Sequence, residues 1–167
     1  MAVNRGKQFE AQVQAGFTAL PDTYCLRLID PQAGYAGVYN ICDFVVYHKP
    51  LVMFLECKSV HTNTLSIYSN DPKKKYGKIT NGQWEGLVDA SRYDGVVAGY
   101  IVWFVDRDIT LFVTAQELKR LRDGGEKSLH CDKHRDHCIE VSGKKKRVLF
   151  NYDMGSLLQK LGVDINL

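Results

Sequence analysis

The sequence predicts an α/β fold in which a mixed central β-sheet is flanked by helices. Three observations predict it. The elements legible along the chain run α-β-β-β-α-β-β-α. Residues 96–105 (VVAGYIVWFV) form one continuous apolar run, as expected of a strand buried on both faces. Two further strand-like runs, 41–48 and 51–57, are parted only by Lys49-Pro50, the pattern of a tight hairpin.

Each element has its own justification. Phe9, Val13, Phe17 and Leu20 recur at helical spacing, so residues 5–20 read as a helix that Pro21 ends. Residues 23–29 (TYCLRLI) read as a strand, and 30–39, Gly-rich with Pro31, as a loop. Beyond the hairpin, residues 59–80 are polar, irregular and basic. A helix over 82–93 places Trp84, Leu87 and Val88 on one face, and Gly95 stops it. After the apolar run, Asp106–Asp108 make a turn and 109–113 a strand. Thr114 caps a helix reaching Arg122, with Glu117 placed for a capping box. Residues 123–136 read as a polar loop, 138–150 as a hairpin turning near Gly143, and 153–161 as a closing helix.

Composition narrows the class. A chain of 167 residues, 45% hydrophobic and 25% charged, fits a single globular domain over 1–167. No apolar run approaches the roughly 18 residues of a membrane span. The start, MAVNRGKQFEAQ, lacks the apolar core of a secretory signal, so a cytoplasmic location and no membrane partner are expected. The odd set of five cysteines argues for reduced thiols, with Cys42 and Cys57 behaving as small hydrophobes. Net charge is only +3, but the basic residues cluster. Arg5 and Lys7 lie near the start, Lys73, Lys74, Lys75 and Lys78 surround Tyr76, and a third group spans Lys144 to Arg147. Such clusters suit phosphate binding, and equally suit solvated loops and strand edges.

The chemistry concentrates between residues 43 and 58. Asp43 opens one strand of the hairpin, and Glu56 and Lys58 close the other. Glu56 and Lys58 are two apart and leave the same face. The Lys49-Pro50 turn brings both acids and the lysine to one sheet edge. Converging carboxylates repel unless a cation lies between them, and hard oxygen ligands suit Mg²⁺ at about 2.1 Å. Such a set fits phosphodiester hydrolysis, with Lys58 beside the attacking water. As an isolated pattern, Glu-x-Lys is commonly just the polar end of an edge strand. Glu10, next to Phe9 on the first helix, and Gln83, just before Trp84, stand where they could join the cluster.

Taken together, Asn4-Arg5-Gly6-Lys7-Gln8-Phe9-Glu10, Asp43, Glu56-Cys57-Lys58 and Gln83 resemble the motifs of the PD-(D/E)xK nuclease superfamily. Within it the chain looks most like the RecU-type Holliday junction resolvases. Asn4-Arg5-Gly6, Gly37-Val38-Tyr39, Glu56-Cys57-Lys58-Ser59 and Lys78-Ile79-Thr80-Asn81-Gly82-Gln83 follow in that family's order. The resemblance spans about residues 4–122 and leaves 123–167 as a C-terminal extension. It implies a restriction-endonuclease-like core and a Mg²⁺ site in which Mn²⁺ would substitute. Asp43, Glu56 and the Cys57 backbone carbonyl would be ligands, and Glu10 would complete the set. Lys58 would be the catalytic lysine, and Gln83 would position lysine, water or phosphate. Residues 30–40 form a short loop where RecU proteins insert a long stalk, a departure that bears on junction specificity.

The implied activity is a DNA endonuclease acting on branched DNA, with Arg5, Lys7, Lys73, Lys74, Lys75 and Lys78 binding the backbone. Paired cuts in a four-way junction need two sites, so a homodimer is expected. The apolar residues Val96 to Val105 offer either dimer surface or ordinary core. The rivals are another structure-specific or duplex nuclease of the superfamily, and a DNA-binding module without catalysis. His130-Cys131-Asp132-Lys133-His134-Arg135-Asp136-His137-Cys138 holds enough His and Cys for zinc. Because Cys131, His134, His137 and Cys138 crowd one loop, a solvated polar loop is the preferred reading. Tyr47, Trp84, Tyr93, Tyr100 and Trp103 read mostly as core rather than as base-stacking residues.

Overall fold

The computed structural model describes residues 4–29, 40–67, 78–147 and 149–165. In chain order the elements are α1 (Arg5–Thr18), β1 (Thr23–Arg27), β2 (Phe44–His48), β3 (Leu51–Val60), β4 (Thr64–Ser66), α2 (Asn81–Ala90), β5 (Val96–Phe104), β6 (Ile109–Thr114), α3 (Ala115–Asp123), β7 (Ser128–His130), β8 (Ile139–Glu140), β9 (Gly143–Lys146), β10 (Leu149–Tyr152) and α4 (Met154–Lys160). Six strands form the central sheet in the order β1-β2-β3-β5-β6-β8. Among the described residues only β3 and β5 pair in parallel, so the sheet is mixed, as the element order predicts.

Side-chain alternation splits the core into two layers. Along β5, Ala98, Tyr100, Val102 and Phe104 join Trp84 and Leu87 of α2 and Leu118 of α3. Ile101 and Trp103 point the other way, to Phe9, Val13 and Phe17 of α1 and Leu157 and Leu158 of α4. The run from Ala98 to Phe104 is therefore wholly buried between helical layers. It is core and offers no dimer surface. Trp84, Tyr100 and Trp103 are likewise core, whereas Tyr47 and Tyr93 stand exposed.

Apart from shifts at element ends, and β8 joining β6 rather than the C-terminal hairpin, the main differences from the sequence expectation are these. First, β3 continues past Cys57 to Val60, because Ser59 and Val60 pair with Trp103 and Phe104 of β5. Second, β4 and β7 form a separate antiparallel pair. At three residues each they are too short to show a period. Third, the C-terminal hairpin turns at Arg147, which adopts a left-handed φ of 41°, and Gly143 instead begins β9. A Cβ at Gly143 would lie 2.8 Å from the Asn151 carbonyl oxygen, so this glycine marks a close approach of backbones rather than a turn. Among the described residues, no helix is long and apolar enough to cross a membrane.

Candidate active site

The hairpin register builds the first half of the site. Phe44 pairs with Leu55, so one further step places Asp43 beside Glu56. The Asp43 N–H donates to the Leu55 carbonyl at 3.1 Å. Its Oδ2 accepts the Cys57 N–H at 2.7 Å. The Cys57 backbone thus holds Asp43 in place. The Cys57 thiol lies in the α1 core layer, and burial pushes it well above its ordinary value, so it is no nucleophile.

Glu56 is the most constrained group. It is 3% exposed. Its Oε1 accepts from Lys58 Nζ at 2.7 Å and from Gln83 Nε2 at 2.6 Å. Its Oε2 is buried and has no hydrogen-bond partner among the described residues. Burial pushes the carboxyl up to about 7, with Asp43 and Glu10 adding to the rise and the Lys58 ammonium opposing it. The bond to Glu56 confirms that both side chains of the Glu-x-Lys pair leave one face.

Gln83 arrives from α2, and a capping motif fixes it there. The Thr80 hydroxyl accepts the Gln83 N–H at 3.3 Å, and Gln83 Oε1 accepts the Thr80 N–H at 3.1 Å. The same Oε1 accepts from Lys58 Nζ at 3.1 Å, closing a Glu56–Lys58–Gln83 ring. Gly86, one turn later, lets α2 sit this close. A Cβ there would fall 2.3 Å from Ile41 Cγ2, two residues before Asp43. The sequence reading began this helix at 82 and left the Thr80-x-x-Gln83 capping signature unread.

Glu10 comes from the opposite layer on α1 and pairs with Arg27 of β1. It is near enough to raise Glu56, and its Oε2 accepts from the Arg27 guanidinium at 2.5 Å. Among the described residues, the carboxylate oxygens of Glu10, Asp43 and Glu56 do not all lie within 4.8 Å of one another. The sequence reasoning missed Arg27, whose only trace is one basic residue inside an apolar strand.

The basic residues are partly in view. A Cβ at Gly6 would lie 4.0 Å from Ser59 Oγ, so the start of α1, with exposed Arg5 and Lys7, lies against the end of β3. Lys78 reaches the same place, donating to the Ser59 carbonyl at 2.6 Å. Lys73, Lys74 and Lys75, and the Gly37-Val38-Tyr39 motif, lie outside the described residues.

The His/Cys tract is arranged differently. His134 Nδ1 accepts the His130 N–H at 3.0 Å, and His130 Nδ1 accepts the Asp132 N–H at 3.1 Å. A ring accepting at Nδ1 carries its proton on Nε2, which leaves neither nitrogen a free lone pair for a metal. His137 is bound to Glu117 at 2.6 Å. Of this tract, only His130, Cys131 and Asp132 bring potential ligand atoms within 4.8 Å of one another, and Arg107 already pairs with Asp132.

No family model and no curated protein matches the sequence. Among solved structures, the chain is similar to Hjc of Archaeoglobus fulgidus, a Holliday junction resolvase from an archaeal hyperthermophile. The TM-score is 0.54 at 19% identity, over 81% of this chain and 95% of that one. Identity that low speaks for architecture alone. The chain has the α/β fold of that resolvase, a restriction-endonuclease-like mixed sheet between helical layers.

Proposed function

We propose that the protein is a Mg²⁺-dependent DNA endonuclease that resolves four-way junctions by paired cuts. The observation that carries this reading is Glu56 Oε2. A buried carboxylate whose second oxygen lacks a donor is held at a cost, unless a cation completes it. Asp43 stands beside it, and hard oxygen donors of this kind suit Mg²⁺, with Mn²⁺ as substitute. Asp43, Glu56 and the Cys57 carbonyl would hold the ion, and Glu10 would join on leaving Arg27. The ion would supply charge neutralisation at the phosphate and a more acidic water. Lys58, held between Glu56 and Gln83, orients that water and offsets charge developing on the phosphoryl oxygens. Gln83 fixes the lysine. Arg5 and Lys7 on the first turn of α1 and Lys78 beside Ser59 would take the DNA backbone, with Lys73, Lys74 and Lys75 just before Lys78 in the sequence.

A module that merely binds DNA has no use for buried carboxylates beside phosphate, which favours the nuclease. The junction preference draws on the resemblance to RecU-type resolvases and on the fold shared with Hjc, itself a Holliday junction resolvase. The test is cutting of a four-way junction against a matched linear duplex, with Mg²⁺, Mn²⁺ or chelator. Equal cutting of the two substrates would leave a nuclease of another specificity.

Two equivalent cuts need two sites, so the working unit would be a two-fold dimer. Exposed apolar residues lie on the β1–β2 ribbon, where Tyr24 (61% exposed) pairs with Tyr47 (45%) and Leu26 (43%) with Val45. A second copy would cover this face. Solution mass at micromolar concentration, with each scissile strand labelled separately, tests it; a monomer that nicks one strand and releases the junction would refute paired resolution.

A further inference from the structure

We propose that the Tyr100 hydroxyl is a positioning group for Glu56, donating to Glu56 Oε2 directly or through one buried water when that carboxylate binds a divalent cation. The inference rests on the reading of Glu56 as a metal ligand. Tyr100 is fully buried, and its hydroxyl has no hydrogen-bond partner among the described residues. Glu56 Oε2 is in the same condition. The two residues are register partners on the adjacent parallel strands β3 and β5. They also share a face: Glu56 is bonded to Gln83 of α2, and Tyr100 packs in the layer of Trp84 and Leu87 of the same helix. Two orphaned polar atoms, one a donor and one an acceptor, therefore lie at one level on one side of the sheet.

An orphaned buried hydroxyl carries a desolvation cost that nothing offsets. Phenylalanine would fill the same space without that cost, so packing gives no reason for the oxygen. Burial first, and the Glu56 charge second, push the phenol far above its ordinary value. It therefore remains a donor throughout the physiological range, and it feels the Glu56 carboxylate. A donor to a ligating carboxylate fixes its orientation, and losing such a partner typically weakens metal binding about 10–100-fold.

The experiment compares wild type, Tyr100→Phe and Glu56→Gln by Mn²⁺ calorimetry on chelator-treated protein, at a temperature where all are fully folded. Thermal melts and junction-cleavage kinetics accompany it. Tyr100→Phe should melt no lower than wild type, bind Mn²⁺ roughly 10-fold more weakly, and lower kcat with KM for DNA unchanged. An affinity equal to wild type overturns the inference, whether or not the melting temperature falls. If Glu56→Gln binds Mn²⁺ as well as wild type does, or wild type binds none, the metal-site reading itself fails, and this inference with it.

Discussion

Two regions of the molecule are rich in potential ligands, and they are built in opposite ways. Asp43, Glu56, Lys58 and Gln83 come from two strands and a helix, and meet only through the β2–β3 register and the close approach of α2. His130 to Cys138 come from one continuous tract, and their polar atoms are largely consumed locally. Two histidine rings accept backbone N–H groups of that tract, and His137 turns to Glu117. The first region leaves one buried carboxylate oxygen unpartnered beside a second acid. The second leaves His134 Nε2, whose proton faces Glu126 at 3.7 Å. An unmet acceptor invites a cation; an unmet N–H does not.

Mutation distinguishes the two regions. The largest effect belongs to the converged region: Asp43→Asn, Glu56→Gln or Lys58→Ala should lower junction cutting by at least about 10³-fold. Junction affinity by gel shift with Ca²⁺ should change only a few-fold, since backbone contacts supply it. Near-normal cutting by Glu56→Gln would remove this region's claim to chemistry.

Next comes pH. The Glu56 carboxyl is raised in the folded protein from 4.5 to about 7. Between those values the folded state holds a proton that the unfolded state has lost, so stability from this group is full below about 4.5 and declines as pH rises through 7. The loss is on the order of 3 kcal/mol. Denaturant melts of chelator-treated wild type should show this decline from pH 4.5 to 8, and Glu56→Gln should flatten it. Equal pH slopes would mean that Glu56 is paired as a charge.

Smaller effects test how each region is held. Gly86→Ala forces a Cβ onto Ile41 and should cost about 1–3 kcal/mol while moving Gln83, so cutting falls along with the melting temperature. In the His/Cys tract, His134→Leu leaves the His130 N–H without its acceptor and should cost about 1–2 kcal/mol. Mg²⁺-dependent cutting by the folded enzyme should not change. If zinc raised the wild-type melting temperature but not that of His134→Leu, the tract would be a metal site after all.

Much of the architecture was legible from residue pattern. The apolar run 96–105 announced a doubly buried strand, Phe9, Val13 and Phe17 announced α1, and Lys49-Pro50 announced the hairpin. These are local, periodic signals that burial imposes on any sequence that folds this way. What failed was short or long-range. The β4–β7 pair has no period to read, β3 was lengthened by its partner β5, and Gly143 looked like a turn although it pairs with Tyr152 at the open end of the β9–β10 hairpin.

At the site, residue types and spacing were legible in the sequence: the acid just before β2, the Glu-x-Lys pair on one face of β3, and Gln83 in the first turn of α2. Which atoms are spent and which are left follows from the assembled fold. Arg27 pairs with Glu10, the Cys57 N–H bonds Asp43, and Lys58 and Gln83 occupy one oxygen of Glu56 while the other has no partner among the described residues. The reason is physical. Spacing along a strand or helix sets the direction in which a side chain leaves the backbone. Hydrogen-bond satisfaction and desolvation depend on neighbours brought in from remote positions, which no local pattern encodes.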